Sequence, residues 1–145
     1  MPHPLFTQFL VSTIMLIGCV VFHGLGLALL NRALRSEAAL ERLRNIDPLS
    51  RRGALFTLTI VLTLIVLHGL EIWSYATLYL GVGAVHTMEE AIYYSTISYS
   101  TVGYNDTHIA TDWRLVGAFE SILGMILLGW STAFFFRMLN RIDAH

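Results

Sequence analysis

Ser100-Thr101-Val102-Gly103-Tyr104-Asn105-Asp106 is a polar, glycine-containing stretch between two strongly apolar segments, and its reading decides the fold. An extended Thr101-Val102-Gly103-Tyr104 strand can aim successive backbone carbonyls, together with the Thr101 hydroxyl, at one axis. Four copies around that axis would complete a cage of oxygens able to replace the water around a dehydrated cation.

Immediately upstream, Ala91 to Ser100 reads as a short helix. Thr87 serves as its N-cap with Glu90 three residues later, and Gly81-Val82-Gly83 breaks the preceding segment. Around this core the chain is too apolar for a water-soluble domain of 145 residues: 55% hydrophobic, 13% charged, mean hydropathy +0.63. Leu5 to Leu30 carries no ionisable side chain except Cys19 and His23, Gly53 to Leu70 is apolar apart from threonines and His68, and Leu115 to Phe136 contains one acid, Glu120. Each is long enough to cross a bilayer. The opening Met1-Pro2-His3-Pro4 has no basic residue, and the run behind it is too long for a cleaved signal, so a retained helix is expected. Cys19 is the only cysteine, which excludes an intrachain disulfide and a thiolate metal cluster.

Arginine placement sets the expected orientation. Arg32, Arg35, Arg42, Arg44, Arg51 and Arg52 crowd the first connection, Arg137 and Arg141 follow the last span, and only Arg114 falls on the other side. Positive loops stay cytoplasmic, so the amino terminus is expected outside and the carboxy terminus inside, in a multi-pass protein of a cell membrane, a bacterial inner membrane by its compactness. Glu89, Glu90, Asp106 and Asp112 then give the outer face an acidic character that attracts cations. Ala33 to Asn45 alternates arginine and glutamate with apolar residues, as a helix on an anionic lipid surface does, and Pro48 ends it.

The ordered set of short helix, Thr-Val-Gly-Tyr, a following acid, Trp113 and a final apolar helix resembles the pore region of potassium channels. The aromatic pair Tyr93 and Tyr94, eight and seven residues before Thr101, belongs to the same likeness. The resemblance implies an all-α membrane protein with three transmembrane helices, a re-entrant pore helix and a selectivity-filter loop, assembled as a homotetramer. Its expected divisions are an N-terminal helix at 1–31, a cytoplasmic connector at 32–52, a pore domain at 53–137 and a tail at 138–145. Within the pore domain fall an outer helix at 53–80, a pore helix at 87–99, a filter at 100–106 and an inner helix at 113–137. With so short a tail, no cytoplasmic ligand-binding domain is expected on this chain. Thr101, Val102, Gly103 and Tyr104 would coordinate K+, with Tyr93, Tyr94, Ser100, Asn105 and Asp106 supporting them. Gly124, Met125, Leu128, Gly129, Thr132 and Phe136 would form the cavity and gate, Gly124 as a hinge. K+ is the permeant ligand, no other cofactor is expected, and the partners are membrane lipids and identical chains rather than nucleic acid.

Two features depart from the family pattern. Asn105 stands where the family has the fifth filter glycine, although asparagine tolerates positive φ better than other side chains. Ile97 stands where some members carry a carboxylate behind the filter, which leaves Asp106 to find support from Tyr94 or Trp113. A weakly selective cation channel, loosened by Asn105, and a nonconducting subunit that keeps the pore fold are the alternative readings. No nucleophile elbow and no H-E-x-x-H motif points to an enzyme.

Ionisable groups inside spans are costly and mark function or pair with one another. His68 and Glu71 share a helix face, and Glu71 and Glu120 lie at similar depth, roughly 13 Å below Leu80 and roughly 10 Å below Trp113 at 1.5 Å per residue. The three are expected to form one polar cluster bracing the back of the pore helix, with at least one carboxyl protonated. Proton or metal sensing is the sharper form of that expectation.

Overall fold

In a computed structural model, residues 5–35, 50–103 and 109–143 are described, and among them all regular structure is helical. Helix α1 spans Leu5–Leu34, α2 spans Arg51–Gly81, the short α3 spans Met88–Tyr99, and a 3-10 turn at Thr111–Trp113 leads into α4, Arg114–Asp143. Three of these helices are long and apolar enough to cross a membrane. Their carboxy-terminal ends lie one to six residues past the expected limits. Tyr104, Asn105, Asp106 and most of the arginine-rich connector lie outside the described residues.

The ends of α2 and the start of α3 have local chemical causes. Ser50 caps α2, its hydroxyl accepting from the Gly53 N–H at 3.2 Å. The other end closes as a Schellman motif: the Ala84 N–H donates to the Tyr79 carbonyl at 2.8 Å and the Gly83 N–H to Leu80 at 3.1 Å. Gly83 takes φ +68° there, a left-handed conformation that glycine adopts without penalty. The chain reverses at once into α3 through a complete capping box. Thr87 Oγ1 accepts from the Glu90 N–H at 3.2 Å, and Glu90 Oε2 accepts from the N–H groups of His86 and Thr87 at 3.0 and 3.1 Å.

The His86 N–H chiefly, and then that of Thr87, hold the Glu90 carboxyl below its ordinary range. Because the folded pKa is the depressed one, this contribution is present above the ordinary glutamate range and fades as pH falls through the folded value. Replacing Thr87 by Ala is expected to cost about 1 kcal/mol of stability. Thermal unfolding of the purified protein reads it, and an unchanged midpoint would contradict the capping role.

The long helices alternate in direction. His23 meets Glu71 and Gly26 meets Leu67, so α1 and α2 are antiparallel; Phe9 stacks on Phe119 and Gly24 faces Trp130, so α1 and α4 run the same way. Helix α3 is wedged between α2 and α4 and packs on both. From its buried face Ala91, Tyr94 and Ile97 join Tyr75, Ala76, Tyr79, Trp113, Val116, Leu123 and Leu127 in one core cluster, and Ser95 and Ser98 are buried beside them. A second cluster below it unites Leu27, Ile60, Leu64, Leu67, Phe134 and Met138. Helix α1 buries only Ser12, Cys19, His23 and Leu27, a single stripe at helical spacing that covers the pore unit.

Candidate pore site

Helix α3 ends level with the middle of α2 and α4. Tyr99, its last residue, reaches His68 and Glu71 near the middle of α2, and His68 in turn contacts Ser131 near the middle of α4. Beyond Tyr99 the backbone leaves the helix through hydrogen bonds from Thr101 N to Ser98 O and from Gly103 N to Ile97 O, both 2.9 Å. Thr101, Val102 and Gly103 are all exposed on the chain.

Their backbone corrects one expectation. An extended strand was the form anticipated for this stretch, but φ is +62° at Thr101 and +58° at Gly103, with Val102 negative between them. A β-strand keeps φ negative throughout and turns neighbouring peptide groups to opposite faces. Alternation between the two helical hands brings consecutive peptide groups to one side. Positive φ in a β-branched residue such as Thr101 is rare and costs of order 1–3 kcal/mol.

Gly124 also differs from expectation. It is buried rather than on the cavity face, and α4 runs unbroken through it. A Cβ at Gly124 would collide with the carbonyl oxygen of Tyr99, so the missing side chain is what lets α4 press against the end of α3. Met125, Leu128, Gly129, Thr132 and Phe136 do lie exposed, Met125 at 60% and Phe136 at 57%. They form an open face, and a Cβ at Gly129 would meet nothing within 4 Å.

Among the expected supports, Tyr94 is buried, edge-on to Tyr79 with ring centroids 5.1 Å apart, and its hydroxyl fills the space that a Gly117 side chain would occupy. Tyr93 is exposed and not packed in this core, while Ser100 Oγ donates to the Thr96 carbonyl at 2.7 Å. Trp113 is buried beside Ile109, and the Ala110 N–H bonds the Ala84 carbonyl at 2.8 Å, fastening the segment before α4 to the α2–α3 turn.

The single polar cluster expected of His68, Glu71 and Glu120 resolves into two networks stacked one helical turn apart behind α3. In the outer one, fully buried Glu120 accepts from Tyr79 at 2.6 Å and from Ser95 at 2.5 Å, and the Ser95 hydroxyl also lies 2.9 Å from the Ile72 carbonyl. In the inner one, fully buried Glu71 accepts from the Tyr99 hydroxyl and lies 2.8 Å from His23 Nδ1. The separation follows from α3 itself, whose Ser95 and Tyr99 project to one side at i and i+4 and give each carboxylate its own hydroxyl partner. His23, Ser131, Tyr79, Ser95 and Tyr99 were not among the candidate residues read from the sequence. His23 had a signal, being the one basic residue inside the first apolar run.

A family model described as an ion channel matches residues 54–141, more than half of the chain, and the chain belongs to that family. No curated protein and no solved structure matches it significantly. The protein is therefore a multi-pass membrane protein of ion-channel type, and α1 lies outside the matched region.

Proposed function

We propose that the protein is a potassium-selective channel in which four identical chains surround a central pore lined by Thr101, Val102, Gly103 and Tyr104. The observation that carries this reading is open, non-helical backbone at mid-membrane depth. Such backbone is tolerated only where protein covers it or where it lines an aqueous path. Within one chain Thr101 to Gly103 are uncovered, and a symmetric assembly around them supplies both the cover and the path. Potassium is favoured over a less selective ion by the Thr-Val-Gly-Tyr core, whose carbonyls and threonine hydroxyl replace a hydration shell. Met125, Leu128, Gly129, Thr132 and Phe136 line the cavity below in this arrangement, and the arginine pattern keeps both the connector and the carboxy terminus cytoplasmic.

Reconstituted in liposomes, the protein is expected to pass K+ with a reversal potential near the potassium equilibrium value in mixed K+ and Na+. Gly103→Ala adds about 1–2 kcal/mol of left-handed backbone strain per chain. Flux should fall at least about tenfold, the factor that ~1.4 kcal/mol carries. A reversal potential near zero would favour a weakly selective pore, and no flux at high protein density would favour a nonconducting subunit.

A further inference from the structure

We propose that His23, His68 and Glu71 form a site for one divalent transition-metal ion of the zinc class, binding of which ties α1 to the pore unit. One ligand atom from each residue lies within 4.8 Å of the others. Two neutral imidazoles and a carboxylate are a donor set suited to zinc, cobalt or nickel.

The hydrogen bonds around these residues close into a circuit with a deficit. Glu71 contacts Tyr99 and His23; His23 Nε2 lies 3.1 Å from Ser131 Oγ; Ser131 Oγ lies 3.0 Å from His68 Nε2; and His68 Nδ1 lies 2.7 Å from the Tyr99 hydroxyl. That makes five contacts. Tyr99, Ser131 and two neutral imidazoles bring four hydrogens, and an ionised Glu71 brings none. In that protonation state one contact is two lone pairs facing each other and a negative charge is left inside the span, and either one added proton or a bound cation supplies what is missing. No lysine or arginine occurs at residues 5–31, 53–113 or 115–136 to balance that charge. The other ionisable side chains nearby, Cys19 one turn along α1 and Glu120 in the neighbouring network, carry no positive charge to offer.

A divalent ion removes both faults. Each ring turns the same nitrogen, Nδ1, toward the carboxylate: His23 Nδ1 is 2.8 Å and His68 Nδ1 3.3 Å from a Glu71 oxygen. Each turns Nε2 toward the same hydroxyl oxygen of Ser131. With a metal on the Nδ1 atoms, both Nε2–H groups donate to the two lone pairs of Ser131, the outer-shell arrangement that orients metal-bound histidines. Tyr99 still donates to Glu71, as the outer-shell partner of that carboxylate, and leaves the fourth position to a water molecule. Because Tyr99 immediately precedes the filter stretch, an ion here would brace the filter from behind. The metal site itself does not depend on which ion the pore conducts.

The test is a cobalt(II) titration of the purified full chain in detergent, with any affinity tag removed. The visible bands of four-coordinate cobalt should saturate at one equivalent per chain and disappear on adding zinc(II). His23→Ala and His68→Ala should abolish them, and Ser131→Ala should weaken binding about 10–100-fold. Cys19→Ala should leave the bands in place. Should the histidine variants fail to fold, the wild-type titration decides alone. Absence of saturable bands at one equivalent overturns the proposal, as does their survival in folded His23→Ala or their loss in folded Cys19→Ala.

Discussion

Gly124→Ala is expected to cripple the protein although it adds a single methyl group. That methyl would overlap the Tyr99 carbonyl oxygen, with the Tyr99 carbonyl carbon 2.8 Å and Cα 3.0 Å away. These are backbone atoms at the end of the pore helix and cannot swing aside as a side-chain tip does. Either α4 retreats, opening the core around Leu123 and Leu127, or the end of α3 moves and carries Thr101 with it. The cost should reach the upper part of the about 1–3 kcal/mol that overpacking exacts per chain. Gly18→Ala is the matched control, since a Cβ there meets nothing within 4 Å, and should be neutral or slightly stabilising through helix propensity. Thermal unfolding and ion flux of the two variants check this; equal behaviour would remove the close-packing role of Gly124.

Glu71→Ala carries the second large effect. It takes away the acceptor of the Tyr99 hydroxyl and the partner of His23 Nδ1 while both stay buried. Leaving buried polar groups without their partner costs about 1–3 kcal/mol each. The loss should appear as detachment of α1, whose one polar tie to α2 is His23 with Glu71 among the hydrogen bonds described, and as disorder at the end of α3. Since Glu71 and Glu120 share no hydrogen-bond partner, the double variant with Glu120→Ala should cost the sum of the single changes to within about 0.5 kcal/mol. Strong coupling between them would mean that the two networks are one.

The spans could be read directly because a bilayer imposes a length and a hydropathy that a linear sequence records. The short helix α3 was equally plain, since Thr87 and Glu90 form a local signal whose partners lie three residues apart. His68 and Glu71 stood out as ionisable groups in an apolar run. What completes their network did not, because pairing His23 with Glu71 and Ser131 with both histidines depends on which helix lies against which. The amphipathic stripe of α1 is too faint to announce that. Gly124 was legible as a small residue, yet a hinge and a close approach ask for the same side chain, and only the position of the Tyr99 carbonyl distinguishes them. The left-handed turn at Thr101 was hidden for the opposite reason: a β-branched residue is the last that local preference would place there.

The most direct measurement is an experimental density map of the purified protein in potassium, at a resolution that shows carbonyl oxygens. Four chains are predicted around one axis, with density for K+ between oxygens contributed by Thr101 to Tyr104 and with Met125 and Phe136 facing the cavity beneath. A monomer or dimer, or a Thr101–Tyr104 segment facing lipid away from any symmetry axis, would contradict the account.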